Sequence, residues 1–207
     1  AAGPIDVPDL QAGPVLLRSH RLEDLDDMVL ACRDEQTWTW TTVPQPYEPE
    51  HAEAYINRTV GTPIDGETRW AIEVDGRFSG NIGAMLDGAG RADVGYFVAP
   101  WARGRGVGSV ALWLVCDWAF RAGGCEVVTW NALVGNVPSR RMVEKVGFHV
   151  HADTDLVRPL DIKGRQRLAE PERSGDGQPA AARRVSEANQ YLVRAAFSLQ
   201  KITRNPE

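Results

Sequence analysis

The residues best suited to chemistry lie in one short run, Arg103-Gly104-Arg105-Gly106-Val107-Gly108-Ser109. A helix that starts inside such a run leaves its first amide N–H groups without intrahelical partners, at the positive end of its dipole. That geometry suits an anion, a phosphate above all. Gly104, Gly106 and Gly108 permit backbone angles closed to other residues and remove the Cβ atoms that would hold a diphosphate at a distance, while Arg103 and Arg105 add positive charge.

The elements that must hold the loop are legible on both sides of it. Before it, Val94, Tyr96 and Val98 alternate with Asp93, Gly95 and Phe97 until Pro100, which is the period of a strand. After it, Val107, Val110, Ala111, Leu114, Val115 and Trp118 form one helical stripe that Gly123 and Gly124 stop. A P-loop is excluded, because no Gly-Lys-Ser/Thr closes the run. A dinucleotide fingerprint is disfavoured: Ser109 stands where a third glycine or alanine belongs, and the next strand, Glu126 to Trp130, is followed by Asn131 rather than an acid. A glycine turn without a ligand is disfavoured too, since three glycines cost about 1 kcal/mol each in chain entropy.

A second block supplies context. Asn136-Val137-Pro138-Ser139-Arg140-Arg141-Met142-Val143-Glu144-Lys145-Val146-Gly147-Phe148 opens with Asn and closes with Glu-Lys-x-Gly-Phe. Together with Arg103-x-x-Gly106-x-Gly108 it resembles the GNAT superfamily of N-acetyltransferases, over roughly residues 14 to 150. Trp40-Thr41-Thr42-Val43-Pro44 followed by Pro46-Tyr47 is similar to the RimJ/RimL branch, which acetylates the N-termini of ribosomal proteins. The resemblance implies an α/β (α+β) fold, a mixed and mostly antiparallel central sheet with helices on both faces. It also implies acetyl-CoA as co-substrate, with no metal, and direct attack by an amine in a ternary complex.

Site roles follow from the same resemblance. The run Arg103 to Ser109 would cradle the pyrophosphate. The backbone of Phe97 and Val98, on a strand splayed from its neighbour at Trp130, would pair with the pantetheine amides and thioester carbonyl, and Asn136 would touch the same arm. Ser139 would protonate the departing thiolate, with a helix first-turn cap as its alternative role. Val143 stands where many relatives carry a tyrosine, and Asn131 where some carry a carboxylate, so neither of those groups is on hand. Asp93 aligns with a glutamate base and Glu73 is a second candidate, either one acting through water. Trp38, Trp40 and Tyr47, expected outside regular structure, form either a core plug or a substrate wall.

Composition sets the limits. The 207 residues suit one domain with a sizeable core, and a net charge of -5 with no long basic run argues against a nucleic-acid partner. No stretch is apolar enough for a membrane span and the start lacks a signal core, so a soluble, cytoplasmic chain is expected. Cys32, Cys116 and Cys125 form no CxxC and read as small buried side chains. The four histidines pair with no carboxylate at helical spacing, so no metal site is expected.

Taken in order, residues 1–13 read as a flexible leader, 14–158 as the acetyltransferase core, 159–187 as a flexible insertion rich in Arg, Glu, Gly, Pro and Ala, and 188–207 as a final strand and tail closing the same domain. A short helix fits the last segment nearly as well. The strand–helix–strand unit from Asp93 to Trp130 requires parallel neighbours.

The expected acceptor is a protein or peptide α-amine. At pH 7.5 an α-amine with pKa about 7.7–8.0 is about a third free, whereas lysine needs roughly 4 kcal/mol to lose its proton. A small amine such as an aminoglycoside or polyamine, and a non-catalytic acyl-CoA sensor, are the alternatives. The sequence allows a homodimer without specifying one.

Overall fold

The structure, a computed structural model, describes residues 7–59, 66–133, 135–154 and 192–198. The insertion expected over 159–187 lies outside the described residues.

A first hairpin pairs β1 (Leu10–Ala12) with β2 (Val15–Arg18). The leader expected to be loose therefore contributes a strand, and Trp70 fastens it further by donating its indole N–H to the Pro8 carbonyl at 2.9 Å. After a 3-10 turn come α1 (Leu25–Arg33), α2 (Glu35–Trp40) and α3 (Pro49–Thr59). Then β3 (Glu67–Val74) and β4 (Arg77–Leu86) form a hairpin about Asp75 and Gly76, both at positive φ, as an Asp-Gly pair between apolar runs predicts. β5 (Arg91–Val98), α4 (Val107–Arg121), β6 (Val127–Leu133), α5 (Val137–Val146), β7 (His149–Thr154) and β8 (Leu192–Ser198) complete the described chain. The last segment is thus a strand.

These strands make one sheet in the order β1-β2-β3-β4-β5-β6-β8-β7. Its pairs are antiparallel except β5 with β6, the parallel neighbours that the strand–helix–strand unit requires. Alternation sorts side chains between two cores. On one face Leu17, Trp70, Ile72, Ile82, Val94 and Val128 pack under α4, whose Trp118 meets Trp70 edge to face at 5.1 Å between ring centroids. On the other face Ala71 and Phe78 pack with Met28 of α1 and Ile56 of α3.

Buried polar groups tie the second face together. Arg18 makes a two-pronged bond to Asp24 (2.7 and 2.8 Å) and a 2.5 Å bond to Glu73. Nearby, His20 Nε2 lies 2.9 Å from the Asn81 side-chain oxygen, its Nδ1 is buried without a partner, and Tyr55 stands edge-on to the ring. Burial pushes the imidazole down from about 6.5 to about 4, against the Asn81 bond that favours its charged form. Between those values the unfolded chain takes up a proton that the folded chain refuses. Stability is therefore full above pH 6.5 and falls as pH drops toward 4, by about 3 kcal/mol for this group. Urea unfolding from pH 7 to pH 4.5 should show that slope in the native sequence, and His20→Phe should flatten it. Equal slopes in both proteins would contradict the assignment.

Candidate active site

The glycine run does form the turn that opens α4. Gly104 and Gly106 have φ of 74° and 77°, the left-handed region that disfavours other residues, and Gly106 is the N-cap of α4. The first bond of the helix runs from Val110 N to Gly106 O at 3.1 Å, so the amides of Val107, Gly108 and Ser109 have no intrahelical acceptor. Gly108 is glycine for another reason. A Cβ there would lie 2.5 Å from Met142 Sδ and 3.2 Å from Val98 Cγ2, so it lets α5 and β5 close on the helix.

Arg103 corrects an expectation. Its guanidinium turns away from the turn and is spent on α2: it donates to Asp34 Oδ1 (2.5 Å), Thr37 Oγ1 (2.8 Å) and Gln36 Oε1 (3.1 Å), while Nε donates to the Val98 carbonyl at 2.9 Å. Asp34 caps α2 by accepting from Thr37 N. Burial works against its charge, but the donors from Arg103 and Thr37 outweigh that and hold its carboxyl below the usual range. Arg105 does face solvent and pairs with Asp75 at 3.1 Å, an exposed contact that competes weakly with a doubly charged anion.

Beside the turn the sheet opens. β5 and β6 are paired only from Arg91↔Val127 to Val94↔Trp130. Beyond that point β5 continues to Val98 along β4, and β6 continues to Leu133 along β8. Phe97 and Val98 therefore lie along a wedge between parallel strands.

Ser139 and Asn136 stand at its mouth. Asn136 is the cap of α5, its Oδ1 accepting from Ser139 N at 3.3 Å, which assigns the capping role to Asn136 rather than Ser139. The Ser139 hydroxyl instead lies 2.6 Å from that of Tyr96. Burial drives the Tyr96 phenol far above its ordinary pKa, partly offset by its bonds with Ser139 and the Trp130 indole, so it stays neutral and able to donate. Tyr96 was legible only as one more apolar position in the β5 alternation.

Asp93 projects from the other face of β5. Its Oδ1 accepts from Thr129 Oγ1 at 2.8 Å and Asn131 Nδ2 at 2.7 Å. Asn131, which stands where some relatives have a carboxylate, holds this one in place. Glu73 is withdrawn as a base, because Arg18 and Arg21 take its carboxylate in an ion network two strands away from β5. Tyr47 is core plug rather than substrate wall, 4% exposed and against His51. Trp38 and Trp40 are helical, on α2, not in a loop. Trp38 is exposed, and the Trp40 ring lies 3.5 Å from where a Cβ on Gly135 would be, next to Asn136. The three cysteines are free and buried, and among the described residues no group of His, Cys, Asp or Glu side chains converges as a metal site. No described helix is long and apolar enough to cross a membrane.

A glycine turn with open amides at the root of a wedge in a mixed sheet, with a hydroxyl pair on one face and a held carboxylate on the other, is an arrangement suited to acyl transfer from a phosphate-bearing thioester. The family model described as an acetyltransferase (GNAT) domain matches residues 15–149. The chain belongs to this family and is an acetyl-CoA-dependent N-acetyltransferase.

Solved structures share the fold at low identity. RimJ from Mycobacterium smegmatis, in complex with CoA-disulfide, aligns with a TM-score of 0.69 and 20% identity over 96% of this chain and 90% of its own. RimL, a ribosomal L7/L12 alpha-N-protein acetyltransferase in complex with coenzyme A, gives 0.67 and 13% over 95% and 98%. A chimera of the spermidine N-acetyltransferase SpeG from Vibrio cholerae and hSSAT gives 0.65 and 17% over 93% and 100%. No curated protein matches the sequence significantly.

Proposed function

We propose that the acceptor is the α-amine of a protein or peptide, as the RimJ and RimL neighbours suggest. The observation that carries this reading is the carboxylate of Asp93, held beside the apex of the wedge by Thr129 and Asn131, whereas Glu67, directly across β4 from it on the same face, is taken by Arg69. Arg69 lies over the Tyr55 ring at 5.1 Å with Arg58 at 5.6 Å. Arg69 is ion-paired with Glu67, and Arg58 beside it opposes a polycation such as spermidine by like charge. A carboxylate acting directly or through one water matches an amine that is already about a third free at pH 7.5, not one that must first give up roughly 4 kcal/mol.

Two features fit coenzyme A: three amides open at the α4 turn, and a wedge whose β5 edge runs beside them. When bound, acetyl-CoA supplies the acetyl group and a thiolate leaving group. The amides of Val107, Gly108 and Ser109 hold the diphosphate, with Arg105 free to swing toward it. The backbone of Phe97 and Val98 and the side-chain amide of Asn136 hold the arm. Asp93 receives the proton of the incoming ammonium. Ser139, held by Tyr96, gives its proton to the sulfur and is reprotonated from solvent, Tyr96 keeping its own proton.

An acceptor panel tests the substrate class. Peptides starting with Ala or Ser should be acetylated with kcat/KM at least tenfold above an N-terminally blocked lysine peptide and above spermidine. Preference for lysine or spermidine, or no coenzyme A release with any amine, would contradict the proposal.

A further inference from the structure

Of the three glycines in β4 and β5, two are required by their neighbours. A Cβ on Gly80 would collide with the Phe97 carbonyl oxygen, and one on Gly83 would come within 2.7 Å of the Thr68 carbonyl oxygen. Gly95 has no such reason. A Cβ there would meet nothing within 4 Å, and its φ lies outside the left-handed region. A glycine inside a strand weakens it and commonly marks the close approach of something else.

Its position says what approaches. Gly95 is the first residue of β5 past the last pair with β6, Val94↔Trp130, so it sits at the apex of the wedge. Val94 and Tyr96 take the α4 face, which directs Gly95, like Asp93, to the opposite face. On β4 its partner is Gly83, so two positions without side chains adjoin, with the Arg69 side chain against the far side of Gly83. Met85 and Asp93 border them on one side, Asn81 and Phe97 on the other.

We propose that this glycine window seats the residue bearing the attacking nitrogen, and that Gly95 sets the width allowed at the acceptor's α-carbon. The inference rests on the α-amine reading above. With the coenzyme's diphosphate anchored at α4, on one side of the sheet, the nitrogen reaches the apex from the Asp93 side, across Gly95. A side chain at 95 would fill the space that the substituent on the acceptor's α-carbon requires.

The test compares Gly95→Ala and Gly95→Val with the native chain, each assayed on peptides beginning with Gly, Ala and Ser. In Gly95→Val the ratio of kcat/KM for the Gly peptide over the Ser peptide should rise at least tenfold, with Gly95→Ala between. Binding of the acetylated Ser peptide in the presence of coenzyme A, read by calorimetry, should weaken in parallel. Coenzyme A affinity should stay within threefold, since the change faces away from α4. An unchanged ratio, or equal loss of coenzyme and peptide binding, overturns the inference. If the native enzyme refuses all three peptides but acetylates a lysine side chain or spermidine, the α-amine reading falls separately. The window is then judged on that amine: loss of its turnover in Gly95→Val at unchanged coenzyme affinity supports it, and undiminished turnover overturns it.

Discussion

Gly106→Asp is expected to weaken coenzyme A binding by at least a hundredfold, and Gly106→Asn by less than tenfold. Position 106 has φ of 77° and a Cβ there would meet nothing within 4 Å, so either residue fits the fold. Asn and Asp are also the side chains that best tolerate the left-handed region. The two variants differ by one charge at the mouth where the α4 amides open. Opposing a phosphate charge at about 5 Å with an effective dielectric near 20 costs roughly 3 kcal/mol, more than the 2.7 kcal/mol that a hundredfold represents. Matching affinities for the two variants would mean that the diphosphate lies elsewhere.

Ser139→Ala should lower kcat by about a hundredfold, the lower end of what a positioned general acid contributes, with the KM for acetyl-CoA within threefold. The fold tolerates the change because Asn136, not Ser139, caps α5. Its stability cost should be about 1–3 kcal/mol, the penalty for leaving the Tyr96 hydroxyl without its 2.6 Å partner. Tyr96→Phe should lower kcat by about tenfold, because Ser139 keeps its proton but loses the partner that orients it. Pre-steady-state coenzyme release decides the matter. If Ser139→Ala releases coenzyme A at the native rate, the hydroxyl is a packing group and the sulfur takes its proton from water.

What the chain revealed in advance was local. The glycine turn, the strand before it and the helix after it are contiguous, and the parallel pairing of β5 and β6 follows from the need to cross over between them. What it concealed depends on partners far apart in the chain. Arg103 reads as a phosphate ligand until Asp34, 69 residues away, is seen to claim it. Glu73 reads as a spare base until Arg18, 55 residues away, takes its carboxylate. Tyr96 counts as one more apolar strand position, and only the docking of α5 brings Ser139, 43 residues on, against its hydroxyl. Gly108 illustrates a subtler limit. The sequence calls for a small residue there, but the reason is Met142 rather than an anion. Tyr47 fails as a substrate wall because α1 and α3 close over it, which no pattern within the segment announces.

The central claim is that the amides opening α4 grip the diphosphate of coenzyme A. Calorimetric titration of the full chain with coenzyme A and, in parallel, with pantetheine, which has the arm but no phosphate, tests it most directly. The expected result is one saturable site for coenzyme A, no measurable binding of pantetheine at the same concentrations, and loss of the coenzyme heat in Gly106→Asp. Pantetheine binding as tightly as coenzyme A, or no heat with either, would contradict it.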